Sequence, residues 1–206
     1  MHADPRGTEA FIRAAQRGEI AAFNQLVEAY QRQVYNVCYR TLGNAEDAAD
    51  ATQEAFLGAY RGIAAFRGAA DGFFPWLLRI AVNTCYDLLR RRKRRPGVSL
   101  DALGRAAEEE PGLAGRLRDT SPGPEQQALS SETARGIEAA LARLSPDRRL
   151  TVVLCDVQGL SYGEAAQVMA VELGTVKSRL SRARAQLREL LLLAGELPSA
   201  AQRLEQ

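Results

Sequence analysis

Apolar residues recur at intervals of three and four along most of the chain, the spacing that predicts amphipathic helices. Over residues 8–42 the pattern predicts a short helix and a long one, with a break at Gly18. Gly43 and Asn44 are expected to end the long helix and to cap the next one, over residues 45–63. This part of the chain therefore predicts helices that build a core.

The helix over residues 45–63 has a polar stripe opposite its apolar face. Glu46 and Asp47 lie in its first turn, where carboxylates favour the positive end of the helix dipole. Dipole matching does not explain why the stripe continues through Asp50, Gln53 and Glu54. Two interpretations stay open for these side chains: an acidic docking face for a protein partner, and an ordinary solvated surface.

The following predicted helix carries an aromatic residue and cations on one side. Two glycines mark residues 67–74 as a loop, and Pro75 suits the first position of the helix after it. One face of this helix is apolar, while Trp76, Arg79 and Asn83 lie on the other. The pattern thus places the one tryptophan of the chain on a polar face.

A tryptophan beside cations is typical of proteins that stack on bases where a duplex opens into single strands. The alternative is that Trp76, in the first turn, folds back onto the core. The helix continues into six consecutive cations over residues 90–95, beginning with Arg90 and Arg91. Because this run extends a helix that presents an aromatic and amides, phosphate contact is favoured over a merely solvated run.

Residues 96–124 are rich in glycine and proline, contain the acidic run 108–110, and have few large apolar side chains, which predicts a flexible linker. Helical patterning returns from residue 125. Ser145, Pro146 and Asp147 together form a helix-start signal.

Residues 160–189 predict a helix-turn-helix. Ser161 and Glu164 have the spacing of a capping box, so a helix is expected to begin at Tyr162. Gly174 followed by Thr175 is expected to break this helix and to open the second one. In the second helix an apolar sector is expected to pack on the domain, and the opposite sector stays exposed. The apolar sector comprises Val176, Leu180, Ala183 and Leu187.

The second helix is strongly basic, with five cations and one carboxylate over residues 175–190, a net charge of +4. A cationic helix with short hydroxyl side chains near its N-terminus suits the major groove of DNA. The alternative is an ordinary helical hairpin with a solvated basic face.

Composition excludes several classes of function. The chain has 206 residues, 46% of them hydrophobic and 25% charged, which is typical of one folded domain or two small ones. Cys38, Cys85 and Cys155 are far apart and suggest buried free thiols. The one histidine is at position 2, and there is no nucleophile motif or phosphate loop, so we expect no catalytic centre, metal or cofactor.

Three segments, in the same order, resemble the sigma-70 family of bacterial transcription initiation factors, and specifically its small extracytoplasmic-function (ECF) group. They are AEDAADATQEAFLGAY, FFPWLLRIAVNTCYDLLRRRKRR and LSYGEAAQVMAVELGTVKSRLSRARAQL. With the patterning above, the resemblance implies an all-α fold of two small helical domains joined by a flexible linker. The expected division is an N-terminal extension and short helix at 1–19, region 2 at 20–95, the linker at 96–124, region 4 at 125–192 and a tail at 193–206.

The resemblance also implies roles for individual residues. In such factors the D-x-x-Q-E segment docks on the clamp of the largest polymerase subunit, which here implies Asp47, Asp50, Gln53 and Glu54. The minus-ten promoter element would be opened and held by Trp76, Arg79 and Asn83 together with Arg90 and Arg91. The minus-thirty-five duplex would be read by Thr175, Lys177, Ser178, Arg179 and Arg182.

The implied partners are core RNA polymerase, promoter DNA and an anti-sigma factor. No apolar run reaches the length of a membrane span and the N-terminus has no signal-peptide core, so we expect a cytoplasmic protein without membrane insertion. The acidic run in the linker fits a path that mimics nucleic acid, and a solvated linker explains it equally well. The rival hypothesis is a conventional dimeric helix-turn-helix regulator on a palindromic operator.

Overall fold

The computed structural model describes residues 5–94 and 135–194, with the backbone alone at 5, 6, 93 and 94, and all regular elements in these ranges are helical. The helices are α1 (Pro5–Gln16), α2 (Ile20–Leu42), α3 (Ala45–Gly62), α4 (Ala70–Arg94), α5 (135–142), α6 (Pro146–Val152), α7 (Tyr162–Met169) and α8 (Leu173–Leu193). A 3₁₀ turn (Ile63–Ala65) follows α3, and a π-helical turn (Val153–Val157) extends α6. The predicted all-α fold is confirmed.

The first helix boundaries follow local chemistry. Gly18 and Gly43 have φ values of 92° and 80°, which a residue with a Cβ adopts only at a cost. Each glycine lies just past the end of a helix, so α1 and α2 end where the sequence predicts. Asn44 then caps α3, because its side chain accepts a hydrogen bond of 2.8 Å from the backbone N–H of Asp47.

The predicted start of α4 at Pro75 is wrong, since the helix already begins at Ala70. Proline inside a helix removes the bond to the carbonyl four residues earlier, here that of Asp71. Asp71 is exposed, so water can satisfy that carbonyl. One lost bond near the N-terminus does not stop the helix.

The predicted turn of the helix-turn-helix is also displaced. The first helix ends at Met169, and the next residue, Ala170, has a left-handed φ of 52° and an N–H that bonds back to α7. Glu172 is extended, and its carbonyl accepts bonds from the N–H groups of Thr175 and Val176. The second helix therefore starts at Leu173, and Gly174 lies inside it.

The first half packs as a bundle in which α2 and α4 both contact α3. Leu26, Val34, Phe73, Leu77 and Val82 are among its fully buried side chains. Helix α3 approaches α4 closely because of a glycine. A Cβ added at Gly58 would lie 3.1 Å from Cγ2 of Ile80.

The second half packs α8 across α6 and α7, with Leu144, Val152, Leu180 and Ala183 buried at part of this contact. Other buried side chains of the second half, between Leu150 and Val176, join the buried cluster of the first half, so the larger of the two clusters contains residues of both halves. The predicted linker, the acidic run 108–110 and all but two residues of the predicted tail lie outside the described residues.

The three thiols are free, as the sequence suggests. Cys38 and Cys85 are fully buried and hydrogen-bonded to each other between α2 and α4, while Cys155 is only half-buried. Among the described residues no cluster of histidine, cysteine and carboxylate side chains has the arrangement to hold a metal ion. None of the helices in these ranges is both long and apolar enough to span a membrane.

Candidate nucleic-acid interface and protein-docking face

The acidic stripe of α3 is open to solvent. Asp50, Gln53 and Glu54 are all exposed, one turn after another, on the side away from the core. Asp47 differs from them, because it is half-buried, accepts a bond of 2.7 Å from Asn44 Nδ2, and forms an ion pair with Arg92 of α4. Three of the four predicted docking side chains are therefore available to a partner, while the fourth already has its charge compensated within the chain.

A cleft of about 600 Å³ separates this stripe from α4. Asp50, Gln53 and Glu54 line one side, and Arg91 lies on the other with two residues that sequence reasoning missed, Thr84 and Asp87. The structure thus brings Arg91 to the acidic stripe rather than to Trp76, although the sequence grouped it with the DNA-facing residues. The position of Arg91 on the same side of α4 as Thr84 and Asp87 could have been predicted from the sequence, because it follows them at helical spacing.

A second, apolar groove of about 520 Å³ lies between α2 and α3. It shares Gln53 and Leu57 with the acidic cleft, so the two depressions flank one ridge of α3. Ile20, Leu57 and Tyr60 are exposed there despite their size. In the sequence, this groove could have been predicted from the large apolar residues that lie outside the core-facing sector of α3.

The predicted DNA-facing side of α4 is formed by residues spaced three, four and seven apart. Arg79, Asn83 and Arg90 are exposed, with Arg90 paired to Asp87 on the same helix. Trp76 is half-buried on the same side. These four side chains share one face, because 100° per residue returns the helix to the same side at these intervals.

The ring of Trp76 rests on two core aromatics. Its centroid lies 5.1 Å from that of Phe66 and 5.5 Å from that of Phe73. The Cβ position of Gly62 is 3.3 Å from the ring, so a larger residue there would press on it. The indole therefore packs on the core, as one of the two sequence alternatives predicts, and part of it stays exposed beside Arg79.

The helix-turn-helix is held by the predicted capping box. Ser161 Oγ accepts from the backbone N–H of Glu164 at 3.2 Å, and the Glu164 carboxylate accepts from the N–H of Ser161 at 2.8 Å. These two bonds fix the start of α7, on which α8, the second helix of the helix-turn-helix, packs.

Helix α8 buries its apolar sector and exposes its polar one. Val176, Leu180 and Ala183 are buried, as predicted, while Lys177, Ser178 and Arg182 are exposed. Thr175 is half-buried at the N-terminal end. The exposed side therefore presents cations and a hydroxyl near the start of the helix, the geometry required to enter a major groove.

Several cations of α8 already have partners. Arg179 is half-buried and lies 2.8 Å from Asp147 of α6. Arg184 donates two bonds to Asp156, and this hydrogen bonding raises the pKa of its guanidinium. Lys177, Arg182 and Arg188 form no ion pair within the described ranges, so the charge available to an anionic partner is concentrated on these three side chains.

Two family models match the chain. The model of Sigma-70 region 2 matches residues 26–95, and that of Sigma-70, region 4 matches residues 134–187. The two matches contain the acidic stripe, the predicted DNA-facing side of α4 and the helix-turn-helix.

Similar curated proteins are named as ECF factors. The ECF RNA polymerase sigma factor SigE of Mycolicibacterium smegmatis is 37% identical over 189 residues, covering 91% of this chain and 68% of that protein. The ECF RNA polymerase sigma-E factors of Haemophilus influenzae and Escherichia coli are each 39% identical, covering 85% of this chain and 90% of theirs.

Two solved structures share the fold over most of the chain. CnrH in complex with the cytosolic domain of CnrY has a TM-score of 0.61 at 27% identity, covering 90% of this chain and 97% of that one. The sigma factor RpoE in complex with the anti-sigma factor NepR from Bartonella quintana has a TM-score of 0.63 at 26% identity, covering 82% and 96%.

Proposed function

The chain belongs to the sigma-70 family of RNA polymerase sigma factors, in its ECF group, and we propose that it docks on core polymerase through the exposed stripe of α3 and reads promoters through α4 and α8. As an alternative sigma factor it directs RNA polymerase to promoters, and it is not an enzyme. The predicted domains, 20–95 and 125–192, divide this work between a polymerase-binding and melting unit and a duplex-reading unit.

The observation that carries the docking proposal is the exposure of Asp50, Gln53 and Glu54 along one wall of the α3–α4 cleft. Carboxylates on a convex ridge favour a basic partner surface, and the neighbouring apolar groove adds area that a protein partner can bury. The clamp of the largest polymerase subunit is the proposed partner. Asp47 contributes less directly, because Arg92 already neutralises it.

For the minus-ten element, Trp76, Arg79 and Asn83 form the proposed contact. An indole backed by Phe66 and Phe73 is a firm platform for stacking an unpaired base. Asn83 offers an amide to base edges, and Arg79 offers a cation to phosphate or base. Arg90 extends this face towards the backbone, whereas Arg91 is assigned instead to the docking cleft.

For the minus-thirty-five element, α8 enters the major groove with Lys177, Ser178 and Arg182 outward. Thr175 lies near the N-terminal end, where helix N–H groups favour phosphate. Arg179 joins these contacts only when it leaves Asp147. Phosphate contacts set the register of the helix, and base contacts supply the sequence preference.

An anti-sigma factor is a further proposed partner, supported by the complex of the similar RpoE with the anti-sigma factor NepR. We also infer a cytoplasmic location, where bacterial polymerase and promoters are found. Nothing in the comparisons favours the rival dimeric operator-binding regulator.

The deciding experiment is transcription in vitro with sigma-free core polymerase on fragmented genomic DNA from the source of the chain. The wild-type chain is expected to produce specific new transcription starts. The Asp50→Ala/Gln53→Ala variant is expected to lose most of them, because it lacks a carboxylate and an amide of the proposed docking stripe. Glu9→Gln is the matched control, since it removes an exposed carboxylate from α1, on a different helix.

Starts that disappear only in the stripe variant support docking through α3, and their upstream sequences reveal both promoter elements. Starts that persist in that variant contradict the assigned docking residues. No starts at all, with binding of duplex DNA as a dimer, would overturn the sigma function itself.

A further inference from the structure

The aromatic platform beneath Trp76 belongs to the turn that follows α3. The 3₁₀ turn (Ile63–Ala65) leads into Phe66, whose backbone is extended and whose side chain is buried. The ring of Phe66 lies 5.1 Å from that of Trp76 and 5.7 Å from that of Phe73, centroid to centroid. The position of Phe66 therefore decides where the indole of Trp76 rests.

A glycine lets the chain pass directly over the Phe66 ring. A Cβ added at Gly68 would lie 2.6 Å from Cζ of Phe66, well inside van der Waals contact. The Gly68 backbone, Phe73 and Trp76 thus surround the ring together. Any movement of the turn that carries Phe66 is transmitted to Trp76 through these contacts.

One side chain of α1 holds this turn in place. Gln16 Nε2 donates to the backbone carbonyl of Ile63 at 3.2 Å and to that of Phe66 at 2.8 Å. A side-chain amide has two N–H hydrogens, so these bonds use both of them. Carbonyls at the C-terminal end of a helix lack partners within the helix, and here a residue 47 and 50 positions away supplies a donor. Gln16 is half-buried, so water competes less for these bonds.

The bonds of Arg67 have a different effect. Its guanidinium donates to the Phe66 carbonyl at 3.1 Å and to the Ala64 carbonyl at 2.6 Å. Arg67 is exposed and belongs to the turn itself, so these bonds shape the turn without fixing it to the rest of the bundle. Gln16, in contrast, fixes the turn to another helix.

From this geometry we propose that Gln16 is a positioning residue for the minus-ten contact, which holds the turn at Ile63 and Phe66 on which Trp76 rests. The proposal deepens the proposed function and rests on it, since it takes Trp76 to stack on an unpaired base. Gln16 lies on α1, outside residues 26–95 that the region 2 model matches. It acts through Phe66 and Trp76 and does not itself touch DNA.

The physical reason is preorganisation. An indole that is already fixed loses little further conformational entropy when a base stacks on it, whereas a mobile indole pays that cost on binding. Loss of both Gln16 bonds frees the turn from α1 and loosens Phe66 beneath the indole. The stacking step is therefore weakened, while the bonds of Gln16 go to the turn and not to the acidic stripe of α3.

Two substitutions separate the hydrogen bonds from the bulk of the side chain. Gln16→Glu keeps the size and shape but removes both donors and places carboxylate oxygens against carbonyl oxygens. Gln16→Lys returns donors at a similar reach. The matched control is Gln25→Glu, which makes the same chemical change at an exposed glutamine of α2.

The first measurement is the fluorescence of Trp76, the one tryptophan of the chain, without polymerase or DNA. In Gln16→Glu the indole is expected to become more hydrated, so its emission maximum moves to longer wavelength and acrylamide quenches it more strongly. Gln16→Lys and Gln25→Glu are expected to emit like wild type. An emission maximum and quenching unchanged in Gln16→Glu would overturn the proposal.

The second measurement separates promoter opening from polymerase binding, with 2-aminopurine in the minus-ten element of a promoter found by the transcription experiment. Gln16→Glu is expected to slow opening about tenfold, within the range for one stacked base, with an unchanged affinity for core polymerase. Gln16→Lys is expected to restore much of the rate. Equal losses in core affinity and opening would overturn the positioning role, because a general structural defect affects both.

These results are distinguishable from failure of the proposed function. A wild-type chain that starts no transcription refutes the function, and the minus-ten role of Gln16 with it. An active wild-type chain whose Gln16→Glu variant opens promoters at the wild-type rate refutes the positioning role alone.

Discussion

Several ionisable side chains of this molecule already have partners, and pairing changes what they offer to polymerase or DNA. Asp47 is held by Arg92 and Arg179 by Asp147, so a partner that binds either side chain must compete with an existing ion pair. Lys177 and Arg182 carry no such cost, since neither has an ion pair within the described ranges. Cations on the same helix are therefore expected to contribute unequally to the binding of an anionic partner.

Tyr86 provides a test at this scale. Burial raises its pKa above the ordinary value of 10.0, and the neighbouring Asp147 charge and hydrogen bond raise it further. Because the folded-state pKa is the higher one, the stabilising effect is complete below pH 10 and is lost as pH rises above it. Between about pH 10 and 11 the free energy of unfolding should fall more steeply for wild type than for Tyr86→Phe, by less than about 1.4 kcal/mol per pH unit, the limit for one proton.

The measurement is urea denaturation at several pH values. Tyr60→Phe is the matched control, because Tyr60 is an exposed tyrosine of α3 whose hydroxyl makes no hydrogen bond in the described part of the chain. Equal slopes for wild type and Tyr86→Phe would contradict the raised pKa.

At the scale of an element, helix α4 presents a different set of side chains on each of three sides. Thr84 and Arg91 line the cleft beside the acidic stripe, Trp76 and Asn83 lie on the proposed DNA-facing side, and Tyr86 bonds to Asp147 of α6. At 100° per residue these sets lie in adjacent sectors around the helix axis. A change in the packing of α4 is therefore expected to affect the cleft, the proposed DNA-facing side and the contact with α6 together.

Two helical glycines give contrasting expectations. Gly163 has nothing closer than Ser161 Oγ at 4.0 Å from an added Cβ, so Gly163→Ala should stabilise the chain by up to about 1 kcal/mol through helix propensity. Gly58 gains the same propensity, but its added Cβ would lie 3.1 Å from Ile80 Cγ2, between α3 and α4. In Gly58→Ala we expect steric crowding against Ile80 to offset the stability gained from helix propensity.

Thermal or urea unfolding of both variants measures the difference. Equal stabilisation by the two substitutions would show that α3 and α4 are not in close contact at Gly58. A destabilised Gly163→Ala would instead contradict the open surroundings of α7.

At the scale of the whole molecule, one buried cluster contains residues of both family regions. Polar ties between residues 61 to 109 positions apart lie beside it, among them Arg40–Glu138 and Tyr86–Asp147. Halves that share a core lose mutual burial when either one unfolds, so their stabilities are coupled.

We therefore expect a single cooperative thermal transition for the full chain. Calorimetry should give a van't Hoff enthalpy close to the calorimetric enthalpy, as for a two-state unit. The Glu138→Arg/Tyr86→Phe variant should broaden or split this transition because its halves separate more easily. Two resolved transitions in the wild-type chain would contradict the shared core.

Sequence reasoning located most helix ends and missed two, for one physical reason. Gly18, Gly43 and the Ser161 capping box act through their own backbone conformation or through bonds within four residues, so local pattern suffices. Pro75 and Gly174 are permitted in a helix as well as at its boundary, and their helical state depends on what packs around them.

The candidate sites divide in the same way. Exposure of Asp50, Gln53, Glu54, Lys177 and Arg182 follows from helical periodicity, which needs only the order of residues. Arg91, which is predicted to contact DNA, lines the cleft beside the acidic stripe, and that it faces α3 was not predictable because a run of cations does not reveal which neighbouring helix each one faces.

By itself, the sequence determined the all-α fold, the family, the capping box and the composition of each helix face, since these depend on interactions a few residues apart or on recognisable order. Only the tertiary structure decided that Trp76 rests on Phe66 and Phe73, that Asp147 holds both Tyr86 and Arg179, and that the two halves share a core. Such pairings join residues distant in the chain, and their choice depends on how helix surfaces fit together, which no local pattern encodes.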